Sequence, residues 1–137
     1  MLCKQHTDRY LRERGETDHL GRLDKIETDN LQLTQRTKRL PHDPNTPGKL
    51  EGDHAGYIFG DRFGGSLELD NLVSQTSNVN QSKFATLENR WAAAIKDGQK
   101  VEVKIKINYE GDALRPASFD VEYIIDGNPS KINIMNN

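Results

Sequence analysis

A glycine-rich segment over residues 52–65 holds the polar residues best placed to do chemistry. Its glycines, at 52, 56, 60, 64 and 65, alternate with aromatic and charged side chains, and irregular segments held between rigid elements commonly carry functional sites. The surrounding residues 41–80 hold two basic and six acidic residues, whereas residues 1–40 and 81–106 carry net charges of +2 and +3. An acidic centre between basic flanks suits a bound cation with an anion around it; scatter over a solvated surface is the alternative.

The overall composition excludes several classes of protein. The chain has 137 residues, 34% apolar and 29% charged, with a net charge of −2, which indicates one globular domain with no general affinity for polyanions. We expect no membrane span and no signal peptide, because no apolar run is long enough for either. The single Cys3 and the four scattered histidines exclude a disulfide within the chain and a cysteine-based zinc site. We expect residues 1–16 to be a lead-in or linker from a longer protein and 17–137 to be the domain.

The N-terminal half of the domain is weakly patterned. Its sparse aliphatic residues predict two short strands, at about 20–26 and 29–35, joined by a polar turn over 27–30. The proline-rich segment 41–49 is typical of a surface loop. A further strand is expected near 55–59, followed by an irregular loop.

The C-terminal half has clear periodicity. Apolar residues at helical spacing predict one main helix over about 82–97, with Ser82 as N-cap and Gly98 in the left-handed position beyond its end. Strict alternation predicts strands over 101–109 and 119–125, and the hairpin signal Asp126-Gly127 leads to a third strand through Ile132 and Ile134. The fold class is therefore α+β, an antiparallel sheet with one main helix and a C-terminal three-strand meander.

Several short motifs together resemble one family. They are Ala55-Gly56, Phe63-Gly64-Gly65, Asp70-Asn71-Leu72-Val73, Asn78-Val79-Asn80 and Glu88-Asn89-Arg90-Trp91. This set is similar to the DNA/RNA non-specific endonucleases of the ββα-metal (His-Me finger) superfamily. The similarity is strongest to the branch found as C-terminal toxin domains of bacterial polymorphic and contact-dependent toxins. It extends over about 17–135, and it implies a ββα-metal core.

One position departs from the family pattern. The catalytic histidine of these nucleases follows the motif glycine, and here that position holds Tyr57. Tyrosine has a reference pKa of about 10, so it is protonated at pH 7 and is a poor general base. His54 lies three residues earlier, and on a strand positions 54 and 57 face opposite sides, so it does not simply replace the missing base. Either the chain is a naturally degenerate member, or this copy carries an inactivating change; the second is favoured, because the rest of the site is intact.

The resemblance also implies a metal site. In the family an asparagine of the helix binds a single Mg²⁺ (with Mn²⁺ as an alternative), and Asn80 matches it. Asn71 lies nine residues before Asn80, and Glu88 lies eight after it, as in the family pattern. In an ideal α-helix Asn80 and Glu88 would be about 80° apart in direction and roughly 12 Å apart along the axis, so Glu88 would hold the metal through water. Mg²⁺ retains several waters and uses few protein ligands, which suits this set.

Three further residues are candidates for binding the phosphate or completing the site. Arg22 and Arg62 could each donate paired hydrogen bonds to a phosphate. His54 is a candidate site residue, although its counterpart in the family is usually acidic. Ordinary surface roles are the alternative for all three.

The resemblance implies a Mg²⁺-dependent nuclease toxin domain that hydrolyses phosphodiester bonds of DNA, or of RNA, and that is inactive or impaired in this copy. The expected partners are the nucleic acid substrate and a cognate immunity protein, with no membrane contact. The domain would be secreted or delivered as part of a larger bacterial toxin and would act in the target-cell cytoplasm. The alternatives are a catalytically dead module that binds nucleic acid, and one that serves only to bind an immunity protein.

Overall fold

The computed structural model describes residues 14–33, 46–57 and 72–137. Its strands are β1 (Arg14–Thr17), β2 (Leu23–Thr28), β3 (His54–Tyr57), β4 (Leu72–Gln75), β5 (Val101–Asn108), β6 (Ser118–Ile125) and β7 (Asn128–Met135). A π-helical turn (Val79–Lys83) leads into the helix α1 (Phe84–Lys96). Five strands form an antiparallel sheet in the order β1-β2-β5-β6-β7, and β3 and β4 form a separate hairpin. The predicted α+β class is confirmed.

The core lies between α1 and the inner face of the five-stranded sheet. Trp91 packs edge-to-face on Tyr123, with ring centroids 5.7 Å apart, and Phe84 packs in the same way on Phe119 at 5.3 Å. The alternating side chains of β5 are buried on this face, as predicted, while Lys104 and its neighbours face solvent. Edge-to-face aromatic pairs contribute about 0.5–1.5 kcal/mol each beyond the area they bury. The predicted meander is confirmed as β5, β6 and β7.

The N-terminal prediction was right for one strand and wrong for the rest: β2 overlaps the strand expected at about 20–26, but the turn and the other strand lie elsewhere. The first strand is β1, before the predicted one, and the turn lies at residues 18–22 rather than 27–30. Asp18 causes this shift, because its carboxylate accepts hydrogen bonds from the N–H groups of Leu20 and Arg22, both at 3.0 Å. No strand follows β2 over 29–33, where the N–H of Leu31 is bonded to the carbonyl of Val101. Residues 34 and 35 lie outside the described part of the chain.

The predicted main helix is confirmed as α1, but its predicted N-cap, Ser82, was wrong. Helical structure begins at residue 77, so Ser82 lies within it. The hydroxyl of Thr76 accepts a hydrogen bond from Val79 N–H at 3.2 Å and caps the helix. The predicted end is confirmed: Gly98 has φ +80°, and the N–H groups of Gly98 and Gln99 bond back to the last turn. Within the described ranges, α1 is too short and too polar to cross a membrane.

The boundary predicted between residues 16 and 17 falls within β1. The division into a lead-in and a domain stays a prediction, and residues 1–13 lie outside the described ranges.

Candidate functional site

The hairpin β3–β4 and the helix that follows it form a ββα unit. The two strands pair antiparallel, with His54 opposite Gln75 and Tyr57 opposite Leu72. The chain then enters the helix, and Cα atoms of β3 lie within 8 Å of Cα atoms of the π-helical turn. This turn contains Asn80. The backbone therefore places the two central predicted positions, 57 and 80, in neighbouring elements.

The π-helical turn changes the geometry expected for the metal site. Its hydrogen bond runs from Phe84 N–H to the carbonyl of Val79, five residues back. Such turns are rare in proteins overall, and those that occur often lie at functional sites. Because a π-turn is wider than an α-turn, the 80° separation expected between Asn80 and Glu88 in an ideal α-helix does not apply. Glu88 is half-buried on α1.

The remaining predicted residues are distributed as follows. His54 is half-buried at the start of β3 and shares that strand with position 57. Asn71 and Arg62 lie outside the described residues. Their roles stay predictions.

Arg22 is held by protein contacts at the edge of the same region. Its Nε donates to Asp18 at 2.8 Å, and its Nη1 donates to the carbonyls of Gly111 and Ala113 at 2.8 and 2.9 Å. The guanidinium also stacks over the ring of Tyr109, 4.3 Å from its centroid. These contacts join the turn over 18–22 to the loop after β5. Two guanidinium nitrogens are thus bonded to the protein itself.

The electrostatics around Arg22 follow from those contacts. Burial raises the pKa of the Asp18 carboxyl, but hydrogen bonds from Arg22 and from backbone N–H groups outweigh it, so the pKa is lowered overall. Burial raises the pKa of Tyr109, whose hydroxyl donates to the carbonyl of Leu23 at 2.6 Å. A cleft of about 230 Å³ runs from Arg22 and Tyr109 to Val73 of β4. Arg22 therefore lies beside the hairpin of the ββα unit.

A largely buried ion pair, which no sequence pattern predicted, holds the residue directly before β3. Asp53, directly before β3, accepts hydrogen bonds from Nε and Nη2 of Arg115 at 2.7 and 3.1 Å, and from the N–H of Leu50 at 3.0 Å. The hydrogen-bonded Arg115 guanidinium holds the pKa of Asp53 below its usual range, although burial opposes this. Gly48 allows the backbone of Arg115 to lie close by, because a Cβ at position 48 would be 2.4 Å from the backbone nitrogen of Arg115. Asp53 and Arg115 are 62 residues apart, so no local pattern could have paired them.

The donor set suits a lightly ligated cation. Across residues 14–33, 46–57 and 72–137, no three His, Cys, Asp or Glu side chains gather as a metal-binding group. The donors expected from the family resemblance stay the amide of Asn80 and, through water, the carboxylate of Glu88. Oxygen donors in small number fit Mg²⁺, which keeps its waters, better than a structural zinc ion.

Comparison with known proteins gives consistent results. The sequence pattern of the family described as DNA/RNA non-specific endonuclease matches residues 3–127. The type VII secretion system protein EssD of Staphylococcus aureus (strain USA300) is 34% identical over 129 residues, covering 88% of this chain and 21% of EssD. The chain thus spans about a fifth of the length of its curated relatives.

Two solved structures share the fold. Magnesium-bound NucA from Streptococcus agalactiae superimposes with a TM-score of 0.78 at 17% identity, covering 91% of this chain and 70% of NucA. The Sda1 nuclease with bound zinc gives 0.74 at 14% identity, covering 91% of this chain and 74% of Sda1. At these identities the likeness concerns the fold. With the family pattern matched from residue 3 to residue 127, this chain belongs to the DNA/RNA non-specific endonuclease family, with the ββα-metal fold.

Proposed function

We propose that this chain is a Mg²⁺-dependent, sequence-non-specific nuclease domain of the toxin type, impaired in this copy by the tyrosine at position 57. The observation that carries the proposal is the adjacency of β3, which ends at Tyr57, and the π-helical turn with Asn80. Family membership supports the phosphodiester chemistry.

Each residue has a defined role in this proposal. The amide of Asn80 would hold the metal, and Glu88 would orient its water ligands. Bound Mg²⁺ would offset the charge that develops on the phosphate and on the leaving oxygen. Position 57 is where the family's histidine accepts a proton from the attacking water. The phenol of tyrosine is protonated at neutral pH and cannot accept this proton.

We also propose partners and a location for the domain. DNA is the first substrate to test and RNA the second. The likeness to a type VII secretion system protein supports delivery as part of a larger secreted protein. We propose that the domain acts in the target-cell cytoplasm and that a cognate immunity protein covers its cleft in the producing cell.

A second candidate function is favoured by Tyr57 itself. A domain that lacks its base could bind nucleic acid, or an immunity protein, without cleaving. Metal dependence separates the binding module from the nuclease, because contacts to the phosphate backbone need basic side chains rather than Asn80.

The test compares the present chain with Tyr57→His, each with and without Asn80→Ala, on plasmid DNA and on RNA in Mg²⁺. A positioned base contributes about 10²–10⁴-fold, so Tyr57→His should cleave faster by that factor and should lose the gain with Asn80→Ala. Asn128→Ala, an exposed asparagine on β7, is the matched control and should change nothing.

Two outcomes would overturn the proposal. If the Tyr57 form is already fully active and His54→Ala abolishes that activity, His54 is the base. If Tyr57→His is inactive with every metal but the chain still binds DNA, the domain is a binding module.

A further inference from the structure

The side chain of Asn136 joins the ββα unit to the main sheet. Its Nδ2 donates hydrogen bonds to the carbonyls of Ser74 and Pro116, at 2.9 and 2.8 Å. Its Oδ1 accepts a hydrogen bond from the N–H of Thr76 at 2.9 Å. The residue is only 3% exposed. All three of these hydrogen bonds join the side-chain amide of Asn136 to backbone groups.

The main chain of Asn136 completes the junction. Its N–H donates to the carbonyl of Ala117 at 2.9 Å, next to the start of β6. Its carbonyl accepts a hydrogen bond from Nη1 of Arg115 at 3.2 Å. Arg115 is also the partner of Asp53, which directly precedes β3. One residue is thus bonded to β4 and to the cap of the helix, and through Arg115 it is linked to the base of β3.

These contacts matter because of what lies next to them. Ser74 belongs to β4, and Thr76 caps the helical segment that contains Asn80 four residues later. A buried carbonyl or N–H that loses its partner is costly, so the segment would move to recover its bonds. Displacement of the helix start relative to β3 would carry Asn80 with it.

We propose that Asn136 is a positioning residue for the metal site: it sets where the helix carrying Asn80 begins relative to β3. This inference rests on the proposed function. Asn136 lies beyond residues 3–127, which match the family pattern. Groups that orient metal ligands from outside typically change metal affinity 10–100-fold when they are removed.

The test measures Mn²⁺ binding by calorimetry on the folded chain, together with amide hydrogen exchange at Thr76. Asn136→Ala should weaken Mn²⁺ binding by about tenfold or more and should speed exchange at Thr76. Asn133→Ala is the matched control, because Asn133 lies on the edge strand β7 and its side-chain amide donates to Asp120 at 2.7 Å on the exposed face, the partner it has among the described residues. Ile134→Val, a buried residue of the same strand, controls for a general loss of stability. Both controls should bind Mn²⁺ as the unchanged chain does.

A milder variant keeps the test decisive if Asn136→Ala does not fold. Asn136→Ser leaves room for a water to bridge the same groups and should weaken binding in the same direction. Asn80→Ala is measured in parallel. If Asn80→Ala loses binding and the Asn136 variants do not, the positioning role is wrong and the proposed function stands. If the unchanged chain binds no Mn²⁺, or if Asn80→Ala binds it normally, both are wrong; equal losses in Ile134→Val and Asn136→Ala refute the positioning role.

Discussion

The buried ion pair between Asp53 and Arg115 provides a direct test of how β3 is held in place. The substitution Asp53→Asn keeps the shape of the side chain but removes its charge. Both carboxylate oxygens of Asp53 accept hydrogen bonds from Arg115. In the variant an NH₂ group replaces one of these oxygens, and because it cannot accept a hydrogen bond, at least one of the two bonds is lost. The guanidinium then loses the counter-charge that the described residues place beside it, in a largely buried site.

The loss of unfolding free energy expected for Asp53→Asn depends on how deeply the ion pair is buried. Removing one partner of a buried pair costs about 3–5 kcal/mol, mostly because the other charge is left uncompensated. The Asp53 side chain is 5% exposed, but that of Arg115 is 21% exposed. Water can therefore replace part of what Arg115 loses, and we expect the lower end of the range, about 3 kcal/mol.

The assay is urea unfolding followed by fluorescence of Trp91, the single tryptophan, which is fully buried. Arg115→Gln and the double variant complete a double-mutant cycle, which should give a coupling free energy of about 1–3 kcal/mol. A loss below about 1 kcal/mol for Asp53→Asn, or a coupling of zero, would refute the structural role given to the pair.

Three further predictions concern stability. The pKa of Asp53 is lower in the folded chain than the reference value of 3.8, so near pH 4 the folded state binds fewer protons than the unfolded state. The free energy of unfolding should therefore fall as the pH drops below about 4. Urea titrations from about pH 5 to pH 3 should show a shallower fall for Asp53→Asn than for the unchanged chain. Gly98→Ala should lower the free energy of unfolding by about 1 kcal/mol, because alanine is strained at its positive φ. Gly48→Ala should lower it more, because its Cβ would also clash with backbone atoms of Leu114 and Arg115. Equal shifts in melting temperature would contradict this close backbone packing. Thr76→Ala should lower the free energy of unfolding by about 1 kcal/mol, because it removes the helix cap, and Ser82→Ala should leave it almost unchanged. If chemical denaturation shows the larger loss for Ser82→Ala, Ser82 is the cap after all.

Regular elements of this chain could be predicted from the sequence because their signals are local. The alternation in Val101–Asn108 places every second side chain in the core, and a period of two can arise in no other common structure. The end of the helix at Gly98 was predictable for the same reason, since a glycine after an apolar stripe fits the left-handed position.

Other features depend on contacts that the sequence does not display. The turn at 18–22 is set by the carboxylate of Asp18, and β1 contains no aliphatic or aromatic residue from which a strand could be predicted. The helical segment begins at the cap formed by Thr76, and a π-helical turn precedes α1. The side-chain hydrogen bonds of Arg115 and Asn136 span 20 to 62 residues. Only the fold brings such groups together.

The location of the metal is the most direct test of the account as a whole. A crystal of this chain soaked in Mn²⁺ and measured for anomalous scattering would show which atoms hold the ion. We predict one strong peak with the amide oxygen of Asn80 at direct ligand distance, about 2.0–2.2 Å, beside the end of β3. A peak elsewhere, with the Asn80 side chain turned into the core, would contradict the proposed site.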